Sequence, residues 1–366
     1  MLKSLLSIAV GSTVVVTAAA ASNLSISGAE LAAMKAEYQR PTEIPQPADN
    51  PGTPEKIALG RTLFFDPSLS ASGMVSCATC HDPRYGFEDR HARSTGVAGK
   101  PLGRHSPTAV NMAWASTFFW DGRADTLEEQ ALGPITSDAE MGMVPEDLVA
   151  TLMEQPAYRE AFTAAFPGET ISVEHLGKAI AAFERTLVSA NSPFDAWIAG
   201  DEAAISDAAK RGFVLFNTDG NCASCHSGWN FTDDSFHDIG LRSEDIGRFK
   251  VLELDSMKRA FKTPGLRDIV ERAPYMHSGD IATLEEVVAH YDHGFVHRDS
   301  LSELIQPLGL TAQQQSDLVA FLKTLSSPVD EDLLRAAEIS EARALQAGQA
   351  RLNGKEETSH ASVESD

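Results

Sequence analysis

The sequence predicts a mainly α fold in which one small helical module occurs twice in tandem. Apolar residues recur at i, i+3 and i+7 through Pro145–Gln155, Val173–Leu187, Leu284–Tyr291 and Thr311–Leu325, the period of a helix with one buried face. Alternating runs of the kind a half-buried strand requires are scarce. The third observation is a repeat. Gly60-Arg61-Thr62-Leu63-Phe64 precedes Cys77-Ala78-Thr79-Cys80-His81, and Gly212-Phe213-Val214-Leu215-Phe216 precedes Cys222-Ala223-Ser224-Cys225-His226. Similar amphipathic helices, Ile180–Leu187 and Leu318–Leu325, close the two copies, as an internal duplication would have them.

A chain of 366 residues with 43% apolar composition is ample for two domains. Residues 1–21 read as a secretory signal peptide: Lys3, then an apolar run from Leu5 to Ala21, then small residues that fit a cleavage site. The expected location is therefore periplasmic, with no membrane span left after cleavage. A proline-rich leading segment, 22–54, carries Pro41, Pro45, Pro47, Pro51 and Pro54 and should be extended. The first module is expected over 55–200 and the second over 201–330. The tail, 331–366, is helix-compatible to Leu352 and then polar enough to be disordered from Asn353.

Asp and Glu total 52 against 30 Lys and Arg, a net charge of −22. So acidic a surface argues against nucleic acid and anionic lipid as partners and suits a basic redox protein.

Four cysteines in an exported chain would ordinarily suggest disulfides. Their arrangement as two Cys-x-x-Cys-His motifs points instead to c-type haem, with Cys77, Cys80, Cys222 and Cys225 becoming thioethers and His81 and His226 the proximal iron ligands. A zinc site would need the two pairs to converge, and a redox dithiol would need a βαβ context; neither explains a histidine after both pairs. With two covalently bound c-type haems, function turns on the opposite face of each iron. A closed iron carries electrons, and an open one binds peroxide.

Beyond these motifs, an ordered series of segments resembles the bacterial dihaem cytochrome c peroxidase and MauG family. They are Leu59–Asp66, Phe119-Trp120-Asp121-Gly122-Arg123-Ala124, Leu127-Glu128-Glu129-Gln130-Ala131, Glu140-Met141, Phe261-Lys262-Thr263-Pro264 and Ala273-Pro274-Tyr275-Met276-His277. The resemblance implies two cytochrome c-like haem domains in tandem, the N-terminal one peroxidatic and the C-terminal one for electron transfer. It places Trp120 between the haems as a carrier of oxidising equivalents, and Gln130 and Glu140 on the distal side, where peroxide cleavage needs a proton relay. Read alone, Trp120 would be a buried aromatic anchor and Glu140 a surface carboxylate. Thr126-Leu127-Glu128-Glu129 reads as a capping box, which puts Gln130 in the first turns of a helix.

The chain also departs from the family's peroxidases. Val97 stands where a displaceable distal histidine would be, so the His81 haem is expected to be open; nearby His91 and His105 read as solvated loop histidines. At the His226 haem the position of an axial methionine holds Tyr291, as in MauG, and a phenolate should lower the potential. Met276 and Met257 are rival ligands, and core packing is the alternative role for Tyr291. The family's calcium would meet the carbonyls of Arg272 and Pro274, but His105 replaces its asparagine, and imidazole suits calcium poorly. Three activities follow as expectations: first, reduction of hydrogen peroxide to water with electrons from a small cytochrome c or cupredoxin; second, MauG-like oxidation of side chains in a protein substrate; third, plain electron transfer.

Overall fold

The structure, a computed structural model, describes residues 26–363, so the expected signal peptide lies outside the described residues. Helix α1 (Gly28–Glu37) starts at a capping box between Ser27 and Glu30. In α2 (Pro54–Phe64) Thr53 caps a first turn that Pro54 pre-sets. One turn, α3 (Cys77–Cys80), carries the first cysteine pair. Then come α4 (Leu127–Thr136), α5 (Pro145–Glu154), α6 (Pro156–Ala165) and α7 (Val173–Glu184). Beyond them lie α8 (Pro193–Ile198), α9 (Asp207–Asn217), a 3-10 turn with the second pair, α10 (Phe249–Leu252) and α11 (Leu284–Ala289), which runs into a π-helical turn at His290–Gly294. Last are α12 (Ala312–Leu322) and α13 (Glu331–Val363). Among the described residues the only sheet is a two-residue antiparallel pair, β1 (Phe236–His237) with β2 (Phe261–Lys262). The fold is mainly α, as the periodicity predicts.

The duplication is visible as one packing device used twice. A Cβ on Gly60 would lie 1.9 Å from the Ala179 carbonyl oxygen, and one on Gly212 would lie 1.9 Å from that of Asp317. Thus α2 crosses α7, and α9 crosses α12, at backbone contact, which only glycine permits. Leu63, Phe64, Leu215 and Phe216 are buried beneath the two crossings.

Each half has its own apolar core, but the chain ends are exchanged between them. Tyr38, at the end of α1, is fully buried among Phe194, Phe213 and Phe231 of the C-terminal core, and its hydroxyl donates to Asn217 (2.7 Å). From there the proline-rich segment crosses to the N-terminal half, where the buried Asn50 donates to Glu128 (2.6 Å) and to the Lys178 carbonyl (2.9 Å). In the other direction α13 returns to the N-terminal core through Leu333, Ala336 and Ala337 and bonds beside α3, Ser340 to Ser76 at 2.9 Å.

Three expectations need correction. The leading segment is not wholly extended, because α1 lies within it. Pro193–Ile198, counted above with the first module, packs in the C-terminal core through Phe194 and Trp197. The tail stays helical past Asn353 to Val363.

Candidate dihaem site

The two histidines that follow the cysteine pairs are held alike. His81 Nδ1–H donates to the Phe87 carbonyl (3.1 Å) and His226 Nδ1–H to the Phe231 carbonyl (2.9 Å), and both phenylalanines sit at left-handed φ, 59° and 56°. Fixing Nδ1 as donor leaves each Nε2 as a lone-pair donor toward a cavity, the arrangement a ligating imidazole needs.

The cavity beside His81 is lined by Cys77 and Cys80 and also by Gln130 and Glu140, so the structure gathers residues up to 63 positions apart in sequence. Thr126 caps α4 by accepting from the Glu129 N–H (3.1 Å); Glu129 reaches back to the Asp125 N–H, one residue short of the expected box. Gln130 follows in the next turn. Glu140 sits in the turn after α4, its N–H bonded to the Ser137 carbonyl (2.9 Å) and its carbonyl accepting from the Val97 N–H (2.8 Å). Among the described residues neither the Gln130 amide nor the Glu140 carboxylate is hydrogen-bonded to another side chain, which leaves both free for a ligand. Gly96 lets the 94–99 loop lie on this turn, since a Cβ there would be 1.9 Å from the Ala139 oxygen. Val97 itself packs toward Gly142 and the N-terminal core.

His91 is an exposed loop histidine as expected, but His105 is not: it is 2% exposed, with Nε2 on Glu88 (3.1 Å) and Nδ1 on the His91 carbonyl (3.0 Å). Both ring nitrogens are engaged with protein acceptors, so His105 is no candidate for iron.

The cavity beside His226 is lined by Cys222, Cys225, Tyr291 and Met276, whereas Met257 is not on its wall. Tyr291 belongs to the π-helical turn, an insertion that re-aims a side chain and often marks a functional position. Burial, with the cysteine pair close by, pushes its phenol well above the ordinary range. His277 lines the same cavity, stacked on Phe261 (3.5 Å, 12°), and its buried Nε2 has no protein partner. Burial pushes it down to about 3, so it is a neutral ring with a polar atom left for a bound group to satisfy.

Trp120 faces both cavities. Its indole N–H donates to the His105 carbonyl (2.8 Å) and its own carbonyl accepts from the Lys262 N–H (2.8 Å), so it is clamped between the halves.

Sequence reading missed Glu184. It is 6% exposed, borders the His81 cavity and has one carboxylate oxygen unpaired. Burial raises it to about 8, with Glu128 adding to the effect and Arg185 opposing it. Lining up the repeats would have flagged it, because the matching residue of the second copy is Leu322. Folding therefore keeps a proton that the unfolded chain releases, and this contribution to stability is whole below the unfolded pKa of about 4.5 and fades as pH rises through about 8. Glu184→Gln should lose less Tm than the parent between about pH 6 and pH 9; parallel losses in a thermal scan would contradict it.

The family model for di-haem cytochrome c peroxidase matches residues 54–203, and that for cytochrome c matches 209–326. The methylamine utilization protein MauG of Methylorubrum extorquens is 49% identical over 84% of this chain and 89% of that protein. The chain belongs to the dihaem cytochrome c peroxidase and MauG family. The cytochrome c551 peroxidase of Pseudomonas aeruginosa, at 35% identity over 78% of this chain and 83% of its own length, is another relative. Among solved structures, a MauG-like protein associated with microbial copper homeostasis superposes with a TM-score of 0.74 at 34% identity, covering 81% of this chain and 96% of that one. As a member of this oxidoreductase family the protein carries two covalently bound c-type haems, and the residues fit them: paired cysteines beside each oriented histidine, and the orphaned His277 nitrogen in one cavity. A zinc site from converging pairs is excluded, because the two pairs border separate cavities. Among the described residues no helix is long and apolar enough to cross a membrane.

Proposed function

We propose that this chain is a periplasmic MauG-like enzyme, which takes oxidising equivalents from hydrogen peroxide on the His81 side and draws the balancing electrons from side chains of a partner protein on the His226 side. Two electrons and two protons convert one peroxide to two waters. The bound haems supply the O–O cleavage and hold the oxidising equivalents; the protein supplies everything else. His81 and His226 are the proximal ligands. Glu140 takes a proton from the incoming peroxide and returns it to the leaving oxygen, and Gln130 orients the substrate by its amide. Trp120, facing both cavities, passes the hole between them.

The observation that carries this reading is Tyr291 on the wall of the His226 cavity. A phenolate ligand stabilises ferric iron, which suits a centre that withdraws electrons from a substrate better than one fed by a carrier. Stronger likeness to MauG than to the peroxidase among the relatives above points the same way. This places the second sequence-based expectation ahead of the first.

Peroxidase activity with a small basic donor is the other reading, and Met276 on the same wall favours it, since a thioether ligand would raise the potential. One preparation separates the two. The resting ferric protein receives one equivalent of peroxide, and the spectrum is followed with and without a reduced small cytochrome. An oxidised state that outlives exposure to the cytochrome and discharges only onto a protein substrate is the expected result. Rapid turnover of the cytochrome would reverse the order, and two low-spin haems indifferent to peroxide would sink both.

A further inference from the structure

Against the ring of His105, which stands in place of the asparagine that would meet the family's calcium, this chain has built a buried ion pair of its own. Arg272, 3% exposed, comes from the C-terminal half and places Nε and Nη2 on Glu88 Oε1 (2.7 and 2.6 Å) and Nη1 on the carbonyls of Gly265 (2.7 Å) and Arg267 (3.1 Å). Glu88, 4% exposed and from the N-terminal half, also accepts from the Thr108 N–H (3.1 Å) and faces His105 Nε2. Space for the guanidinium stem is provided at Gly86, where a Cβ would lie 2.5 Å from Arg272 Cγ and φ is +60°.

Calcium needs six to eight oxygen ligands. Here the carboxylate is already spoken for, and a permanent guanidinium charge stands beside it, which would repel a dication. With His105 in place of an oxygen donor and both its ring nitrogens taken by protein acceptors, the donor set does not fit the metal. It does fit an internal ion pair, since a buried charge survives only when paired and hydrogen-bonded, and each nitrogen of this guanidinium meets a protein oxygen.

We propose that the Glu88–Arg272–His105 unit replaces a divalent cation at the seam between the halves and serves to position Trp120. The link is short: the carbonyl that holds the Trp120 indole is that of His105, whose ring Glu88 secures and whose N–H donates to the His277 carbonyl (2.9 Å). Arg272 and Glu88 are thus positioning residues, and this role rests on Trp120 as the bridge. The absence of a calcium requirement does not, so the two claims fail separately.

The dihaem protein is stripped with EGTA, its calcium content is measured by mass spectrometry, and calcium chloride is titrated back. Ferric EPR and the yield of the peroxide-oxidised state should not change, and calcium should remain far below one per protein. A stoichiometric calcium whose removal alters either readout overturns the replacement. The positioning role is read from Arg272→Ala, with Arg272→Lys as the conservative control. In Arg272→Ala, sharing of the oxidising equivalent between the haems should slow by about 10- to 100-fold, the scale of a small misplacement, while each resting EPR signal stays. Added calcium should recover part of the rate by meeting the freed Glu88 and carbonyl oxygens, and Arg272→Lys should keep most of it. An Arg272→Ala protein that matches the parent, with or without calcium, overturns positioning. If that variant does not fold, Glu88→Gln decides: slower sharing that disappears when Trp120→Phe is also present upholds positioning, and sharing at the parent's rate, or slowed equally without Trp120, overturns it.

Discussion

Glu140→Gln should lower the second-order rate constant for peroxide by about 10²- to 10⁴-fold, the usual worth of a positioned proton-transfer group. The substitution keeps the side chain's length and the backbone bonds to Ser137 and Val97 that fix the turn, so the cavity should retain its shape. What disappears is the ability to accept a proton at one oxygen and release it to the other. Stopped-flow traces at increasing peroxide give the constant directly, while the resting spectrum serves as the check on folding. A variant within threefold of the parent would mean that proton transfer runs through water or another group on the wall. Gln130→Ala should cost less, because it loses orientation and not the relay.

Tyr291→Phe should change the C-terminal haem more than any other single substitution. If the phenol oxygen is the sixth ligand, its loss removes the oxygen-ligated low-spin signal in EPR. The potential should rise on the order of 100 mV or more, within the ~0.8 V range that axial ligands command. The long-lived oxidised state should vanish with it, since the centre would no longer hold an oxidising equivalent cheaply. The phenyl ring fills the same space on the cavity wall, so stability should change little. An unaltered spectrum would hand the ligand role to Met276 and with it the advantage to the peroxidase reading.

The parts of this site that the sequence made legible are those whose chemistry forces a local pattern. Each haem motif packs two thiols and an imidazole into five residues, and each glycine of the Gly-x-x-Leu-Phe motifs marks a helix crossing too tight for a Cβ. Gln130, Glu140, Trp120 and Tyr291 came from the family resemblance, and the structure sets all four on cavity walls. What stayed hidden is long-range. Glu88 and Arg272 are 184 residues apart, and no helical or strand period relates them. His105 was read as solvated because a histidine in a Gly-Arg-His-Ser-Pro loop carries no mark of burial. Glu184 hid on an apolar helix face, where the eye passes over one carboxylate among alanines.

The exchanged chain ends bear on how such a molecule is made. The N-terminal core holds the first cysteine pair, yet it is completed by Leu333, Ala336 and Ala337, which leave the ribosome after everything it encloses. Domains ordinarily fold in the order of synthesis. Here the first half is not complete until α13 has been made. The packing of α13 beside Ser76 thus closes the first half with residues made 264 positions later, like a clasp.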